Sequence, residues 1–183
     1  MKVGVFSKHS KNFFSNGCNQ QALFVYETLN NILDVECSII TEKPDIIDNI
    51  KTVSLEKNID GLLQFNIIIF VSNEIRTVNI LRGLKTAGIK MISYNCGNFY
   101  YIYQEDLIFN VHKKIDNIDY YKYYDEYWSI PNYKKDKYFY ETIFKTNFKT
   151  VPYVWNTTII DKYPAINYDI NTAQSQTKYI LIA

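Results

Sequence analysis

Short apolar runs alternate along this chain with longer stretches in which apolar residues return at helical spacing. Phe65 to Val71 (Phe-Asn-Ile-Ile-Ile-Phe-Val) is the clearest strand. Its nearly unbroken apolar character is that of a strand covered on both faces by helices. Lys2 to Ser7, Glu36 to Thr41, Ile89 to Tyr94, Glu126 to Ile130 and Phe148 to Val154 are further β-prone runs. Between them, Ala22, Leu23, Tyr26, Leu29 and Leu33 mark a helix over 19–33. Ile75, Val78, Leu81 and Leu84 form an apolar stripe on a second helix, capped by Ser72 or Asn73 and closed at Gly88. Two more helices are predicted, over 98–110 and around Tyr133 to Lys145. Residues 44–65 have no clean period, and a short strand at Lys51 to Leu55 is the one element they suggest. Strands alternating with helices in this way predict an α/β fold, a Rossmann-like parallel sheet flanked by helices.

The tail changes character. Residues 166–177 are mostly polar and read as a linker, after a first domain spanning 1–165. Lys178 to Ala183 (Lys-Tyr-Ile-Leu-Ile-Ala) then reads as a buried strand. It is expected either to open a further, carboxy-terminal domain or to return to the first sheet.

Composition narrows the function classes. The 183 residues are 47% hydrophobic, enough for a packed core, and 20 basic against 19 acidic side chains leave a net charge of +1. No overall field draws such a chain to nucleic acid, so none is expected as a partner. No apolar run reaches the roughly 18 residues of a membrane-spanning helix. Cys18, Cys37 and Cys96 are scattered without metal-ligand spacing, which predicts neither a disulfide framework nor a zinc site and suits a reducing, cytoplasmic setting. Aromatic content is high, with 17 Tyr, 11 Phe and 2 Trp. Tyrosine suits sugar stacking as well as core packing, and an A- and T-rich genome also enriches it. The same excess would suit an assembly surface, and a homo-oligomer stays open.

Candidate chemistry is sought where strands run into helices, because open α/β sheets bind ligands at the carboxyl ends of their strands. After the first strand, Asn16, Gly17 and Asn19 stand before a helix start whose free N–H groups suit an anion. Neither a dinucleotide fingerprint nor a P-loop is present. His9, in the same loop, is the candidate general base, imidazole being matched to proton transfer near neutral pH. A second loop offers Asn95, Gly97 and Asn98, neutral hydrogen-bonding groups suited to hydroxyls, though also an ordinary turn. Asp119 to Trp128 interleaves aromatics with both signs of charge and reads as packing.

Several segments go beyond generic patterns. Ser15-Asn16-Gly17-Cys18-Asn19-Gln20 resembles an S-N-G-x-N-Q motif, and Ser93 to Tyr100 an S-Y-x-x-G-N-x-Y motif. Asp125 to Pro131 matches D-E-x-W-x-I-P, Tyr138 to Phe144 a Y-Y-E-T-x-[YF] helix, and Val151 to Trp155 V-P-x-x-W. In this order they are similar to a family of glycosyltransferase-like proteins of largely unknown function. The resemblance implies the amino-terminal, acceptor-side half of a GT-B fold, in which two Rossmann-like domains face each other across a cleft. It further implies a nucleotide sugar as donor, a carbohydrate or glycan hydroxyl as acceptor, and no metal or other cofactor. Asn16, Gly17, Asn19, Asn95, Gly97 and Asn98 would contact these substrates, while Trp128 and Trp155 would pack. On that reading the chain lacks its second, donor-holding domain and is inactive alone. A non-catalytic carbohydrate- or nucleotide-binding module and a structural assembly domain are the alternatives.

Overall fold

The computed structural model describes residues 1–8, 17–43, 46–47, 50–55, 59–97, 99–109 and 118–154. His9, Asn16, Asn98, Trp155 and the whole predicted linker and final strand lie outside them.

The first apolar run forms β1 (Lys2–Phe6), followed by helix α1 (Gly17–Glu27), which continues into a wide π turn over Thr28–Ile32. Strand β2 (Glu36–Thr41) comes next, then a small hairpin of β3 (Ile46–Ile47) and β4 (Ile50–Lys51), and the short β5 (Val53–Ser54). After them come β6 (Ile67–Val71), α2 (Val78–Thr86), β7 (Lys90–Asn95) and α3 (Phe99–Phe109). A 3₁₀ turn at Asp119–Tyr123 leads to β8 (Glu126–Ser129), and another at Pro131–Asp136 leads into α4 (Lys137–Phe144) and β9 (Asn147–Thr150).

Seven of these strands make one sheet in the order β5-β2-β1-β6-β7-β8-β9, every neighbouring pair parallel. The fold is therefore α/β and Rossmann-like, as the alternating pattern predicts. Because β1 is flanked by β2 on one side and β6 on the other, the direction in which successive strands are added across the sheet reverses there.

The period of two along each strand distributes side chains between two separate cores. Ile69 and Val71 of β6, Val3 and Val5 of β1, and Ile39 of β2 pack with Ala22, Leu23 and Val25 of α1 in a largely aliphatic core. Ile68 and Phe70 of the same β6 point the other way, into a core with Leu81 and Leu84 of α2, Phe144 of α4 and a group of tyrosines. Among the described residues seven tyrosines are buried, including Tyr120, Tyr121, Tyr124 and Tyr127 from the aromatic and charged segment 119–128. Tyr121 stacks on Phe144 with centroids 4.0 Å apart, and Tyr127 on Tyr140 at 4.8 Å. That segment is core, as its sequence suggests.

Three expectations need correction. Helix α2 does not begin at Ser72 or Asn73. It starts at Val78 after an extended Thr77, because Ser72 has a left-handed backbone (φ 52°) and gives its N–H to the Tyr94 carbonyl at 2.8 Å. Leu33 leaves the apolar stripe of α1 and is 59% exposed, since the π turn adds a residue to the helical repeat and rotates the residues beyond it. The last strand ends at Thr150, and Val151 to Val154 form a strap outside any strand instead. Gly88 does close α2 in the left-handed conformation, with φ 78°. Among the described residues no helix is long and apolar enough to cross a membrane.

Candidate functional site at the carboxyl edge of the sheet

Strands β1, β6 and β7 all end at one edge of the sheet, where the chain reaches Ser7, Ser72 and Asn95 respectively. Ser7 follows β1, fully buried, with its N–H on the Ile40 carbonyl (2.9 Å) and its Oγ donating to Asn19 Oδ1 at 2.8 Å. That bond ties the start of α1 to the strand before it. Ser72 follows β6 and its Oγ meets the Cys96 sulfur at 3.0 Å. At the end of β7, Asn95 donates from Nδ2 to the Tyr127 hydroxyl (2.6 Å) and accepts the Gly97 N–H at Oδ1 (2.9 Å). One amide thus links the loop to the tyrosine core.

The strap 151–154 crosses this edge. Tyr94 donates its hydroxyl to the Pro152 carbonyl at 3.0 Å, Gln21 donates from Nε2 to the Val154 carbonyl at 2.8 Å, and the Tyr153 hydroxyl donates to the Cys96 carbonyl. The described part of the V-P-x-x-W segment therefore holds α1 and β7 together. Burial pushes the Tyr94 hydroxyl well above its ordinary pKa, so it serves as a neutral donor.

Two clefts open here. One, of about 590 Å³, lies on the α2 side, between the ends of β1 and β2 and the loop Ser72 to Thr77. This is the position at which a doubly wound sheet reverses direction and leaves a crevice. Lys8 and Arg76 bring positive charge to it, Glu42 and Glu74 negative charge. Glu74 is fixed by Ser93, whose Oγ donates to its Oε1 at 2.9 Å. Arg76 lies over the Tyr120 ring, 5.6 Å from its centroid, where the aromatic face holds a guanidinium without neutralising it.

The other cleft, of about 340 Å³, lies on the α1 side and is lined by Gly17, Cys18, Gln21, Phe24, Gly97 and Tyr153, among others. It brings Gly17 and Gly97 together from loops far apart in sequence. A Cβ at Gly17 would meet nothing within 4 Å, so that backbone is open to a ligand. Asn19 (1% exposed) and Asn95 (2%) line neither cleft: Asn19 is buried against Ser7, and Asn95 turns its amide to Tyr127 of the tyrosine core and to the Gly97 N–H. Glu74, Arg76 and Lys8 do not stand out in the sequence, because a helix start read at Ser72 absorbed the loop that carries two of them.

The family described as "Protein of unknown function (DUF2827)" matches residues 2–175. The chain belongs to this family. Its match spans every strand and helix described above, so both clefts are features of a DUF2827 domain. No curated protein matches the chain. Among solved structures, a protein of Vibrio parahaemolyticus described as a candidate transcriptional regulator is 12% identical, with 82% of this chain and 77% of that one covered. Its TM-score is 0.34, too low to inform either fold or function.

Proposed function

We propose that this DUF2827 domain is the acceptor-side half of a glycosyltransferase that moves a sugar from a nucleotide sugar to a hydroxyl. The observation that carries the reading is the larger cleft, where a held carboxylate, Glu74, shares the switch-point crevice with Lys8 and Arg76. Glycosyl transfer needs both kinds of group. A carboxylate takes the proton from the acceptor hydroxyl as its oxygen bonds to the anomeric carbon. Cations stabilise the diphosphate as the bond from that carbon to the phosphate oxygen breaks. Lys8 and Arg76 supply that charge without a metal. Glu74 takes the base role that the sequence offered to His9, which lies outside the described residues. Gly17 and Gly97 in the neighbouring cleft give a sugar close access to backbone, and Asn16 and Asn98, next to them in sequence, are the further contacts this reading expects. In a GT-B arrangement the nucleoside would sit mainly on a second, facing domain.

The test is a panel of nucleotide sugars carrying labelled sugar, offered with simple glycan acceptors to this chain and to a version extended by a second, facing domain, where transfer is expected, and read by thermal shift and label transfer. Binding of one donor with transfer, and a Glu74→Gln variant that still binds but turns over at least about a hundredfold more slowly, supports the reading. Binding without transfer would favour a carbohydrate- or nucleotide-binding module instead. Failure to bind any donor or glycan sinks both. The assembly alternative loses its motive, since the segment richest in tyrosine turns four of them into the core.

A further inference from the structure

Cys18 and Cys96 are 78 positions apart (96 − 18), yet their side chains hydrogen-bond to each other in the α1-side cleft, which both residues line. Ser72 completes the group. Its Oγ lies 3.0 Å from the Cys96 sulfur, accepts the Cys96 N–H at 3.3 Å, and also hydrogen-bonds Cys18. We infer that Cys18 and Cys96 form a peroxide-reactive dithiol, a modification site in which Cys18 is the attacking thiol and Cys96 the resolving one.

Three features assign the roles. Cys18 is the second residue of α1, where unpaired N–H groups and the helix dipole favour an anion. It is partly exposed to the cleft, whereas Cys96 is buried. The hydrogen bond from Cys96 is the main influence on Cys18 and, helped by Ser72, brings its thiol down to about 6 against the opposing effects of burial and of Glu74. The same bond and burial push Cys96 far up, so Cys96 keeps the shared proton. Cys37, in the aliphatic core, is the internal contrast, since burial pushes its thiol up to about 12.

The chemistry balances with hydrogen peroxide as oxidant. The Cys18 thiolate attacks one peroxide oxygen, the O–O bond breaks, and hydroxide leaves, giving a sulfenic acid. The Cys96 sulfur then displaces the sulfenic hydroxyl, its proton leaving with that group as water, and an S–S bond forms between the start of α1 and the end of β7. A dithiol reductant reverses the bridge by exchange. The inference stands apart from the proposed transferase activity and needs neither donor nor acceptor.

The experiment treats the full chain with equimolar hydrogen peroxide at neutral pH, then alkylates it under denaturing conditions for peptide mass spectrometry. The expected product is a cross-linked peptide pair containing Cys18 and Cys96, with Cys37 still alkylated, and dithiothreitol restores both thiols. Iodoacetamide on the native, untreated protein should label Cys18 about tenfold faster than Cys37 or more, a readout that needs no variant. Cys96→Ser should halt at a sulfenic acid trapped by dimedone, and Cys18→Ser should lose the fast reaction. Equal reaction at all three cysteines, or unchanged peroxide reactivity in Cys18→Ser with native circular dichroism, would overturn the inference.

Discussion

The two faces of the sheet are built from different material, and each cleft inherits the character of its face. The α1 face is packed with Val, Ile, Leu and Ala, and its cleft holds glycine backbone and thiols. The α2 face is packed with Tyr and Phe, and its cleft holds ionic groups. Aliphatic side chains fill volume and have nothing further to offer. Tyrosines fill volume and also carry hydroxyls, so their packing reaches the sheet edge as hydrogen bonds. Tyr103 and Tyr121 pair their hydroxyls at 2.7 Å, Tyr124 donates to the Ile75 carbonyl of the cleft loop at 3.1 Å, and Tyr127 receives Asn95. Core and site are coupled on that face through several tyrosine hydroxyls, while on the aliphatic face the described links are fewer, chiefly the Tyr94 hydroxyl on the Pro152 carbonyl and Cys96 on Ser72.

The strongest way to break this comparison is to truncate one residue on each side. Tyr127→Ala should cost about 4 kcal/mol and Ile69→Ala about 3 kcal/mol in denaturant unfolding, with the tyrosine variant also loosening the Asn95 loop. Equal costs with no change at the loop would show that the hydroxyl network is idle. A finer cut is Tyr127→Phe, which keeps the ring but leaves the buried Asn95 amide without its partner. About 2 kcal/mol should be lost, against about 1 kcal/mol for Ile92→Val on the other face.

Acid sharpens the contrast at the outer strands. Burial alone would raise the Glu126 pKa, but hydrogen bonds from Lys90 (2.6 Å), Lys149 (2.9 Å) and Trp128 (2.6 Å) outweigh it and hold the carboxyl at about 2, below its ordinary 4.5. A depressed pKa stabilises the folded state fully above the unfolded value, and the contribution fades as pH falls from about 4.5 toward about 2. Glu126→Gln should therefore flatten the acid limb of stability in that window, as read by urea midpoints at successive pH values. The smallest effect belongs to Lys85→Ala, which removes a 3.1 Å, partly exposed ion pair with Asp125. It should cost under about 1 kcal/mol and shrink further in high salt.

Most of this architecture is readable from periodicity, since buried parallel strands leave apolar runs too plain to miss. β6 and β7 fall within two residues of their predicted bounds. The hairpin of β3 and β4 was not legible, because strands of two residues carry no period. Leu33 misled because a π turn has no signature in hydrophobic spacing. At the site, Gly17 and Gly97 were legible as turn residues, and their convergence on one cleft was not. The thiol pair was invisible for the same reason, as scattered cysteines are joined only once β7 lies two strands from β1. Glu74 and Arg76 were hidden by the helix start read at Ser72, whose left-handed turn no local pattern announced.

The position of β1 has a consequence for how the chain is made. β1 leaves the ribosome before β2 and β6, yet it stands between them and needs both. Its second partner is complete only at Val71, so an early nascent chain holds an apolar ribbon with one edge unsatisfied. Such edges are prone to mispairing until their partner arrives. Slowing translation before residue 71 should lengthen that exposure, whereas a pause after Asn95 would fall when the sheet already has its middle.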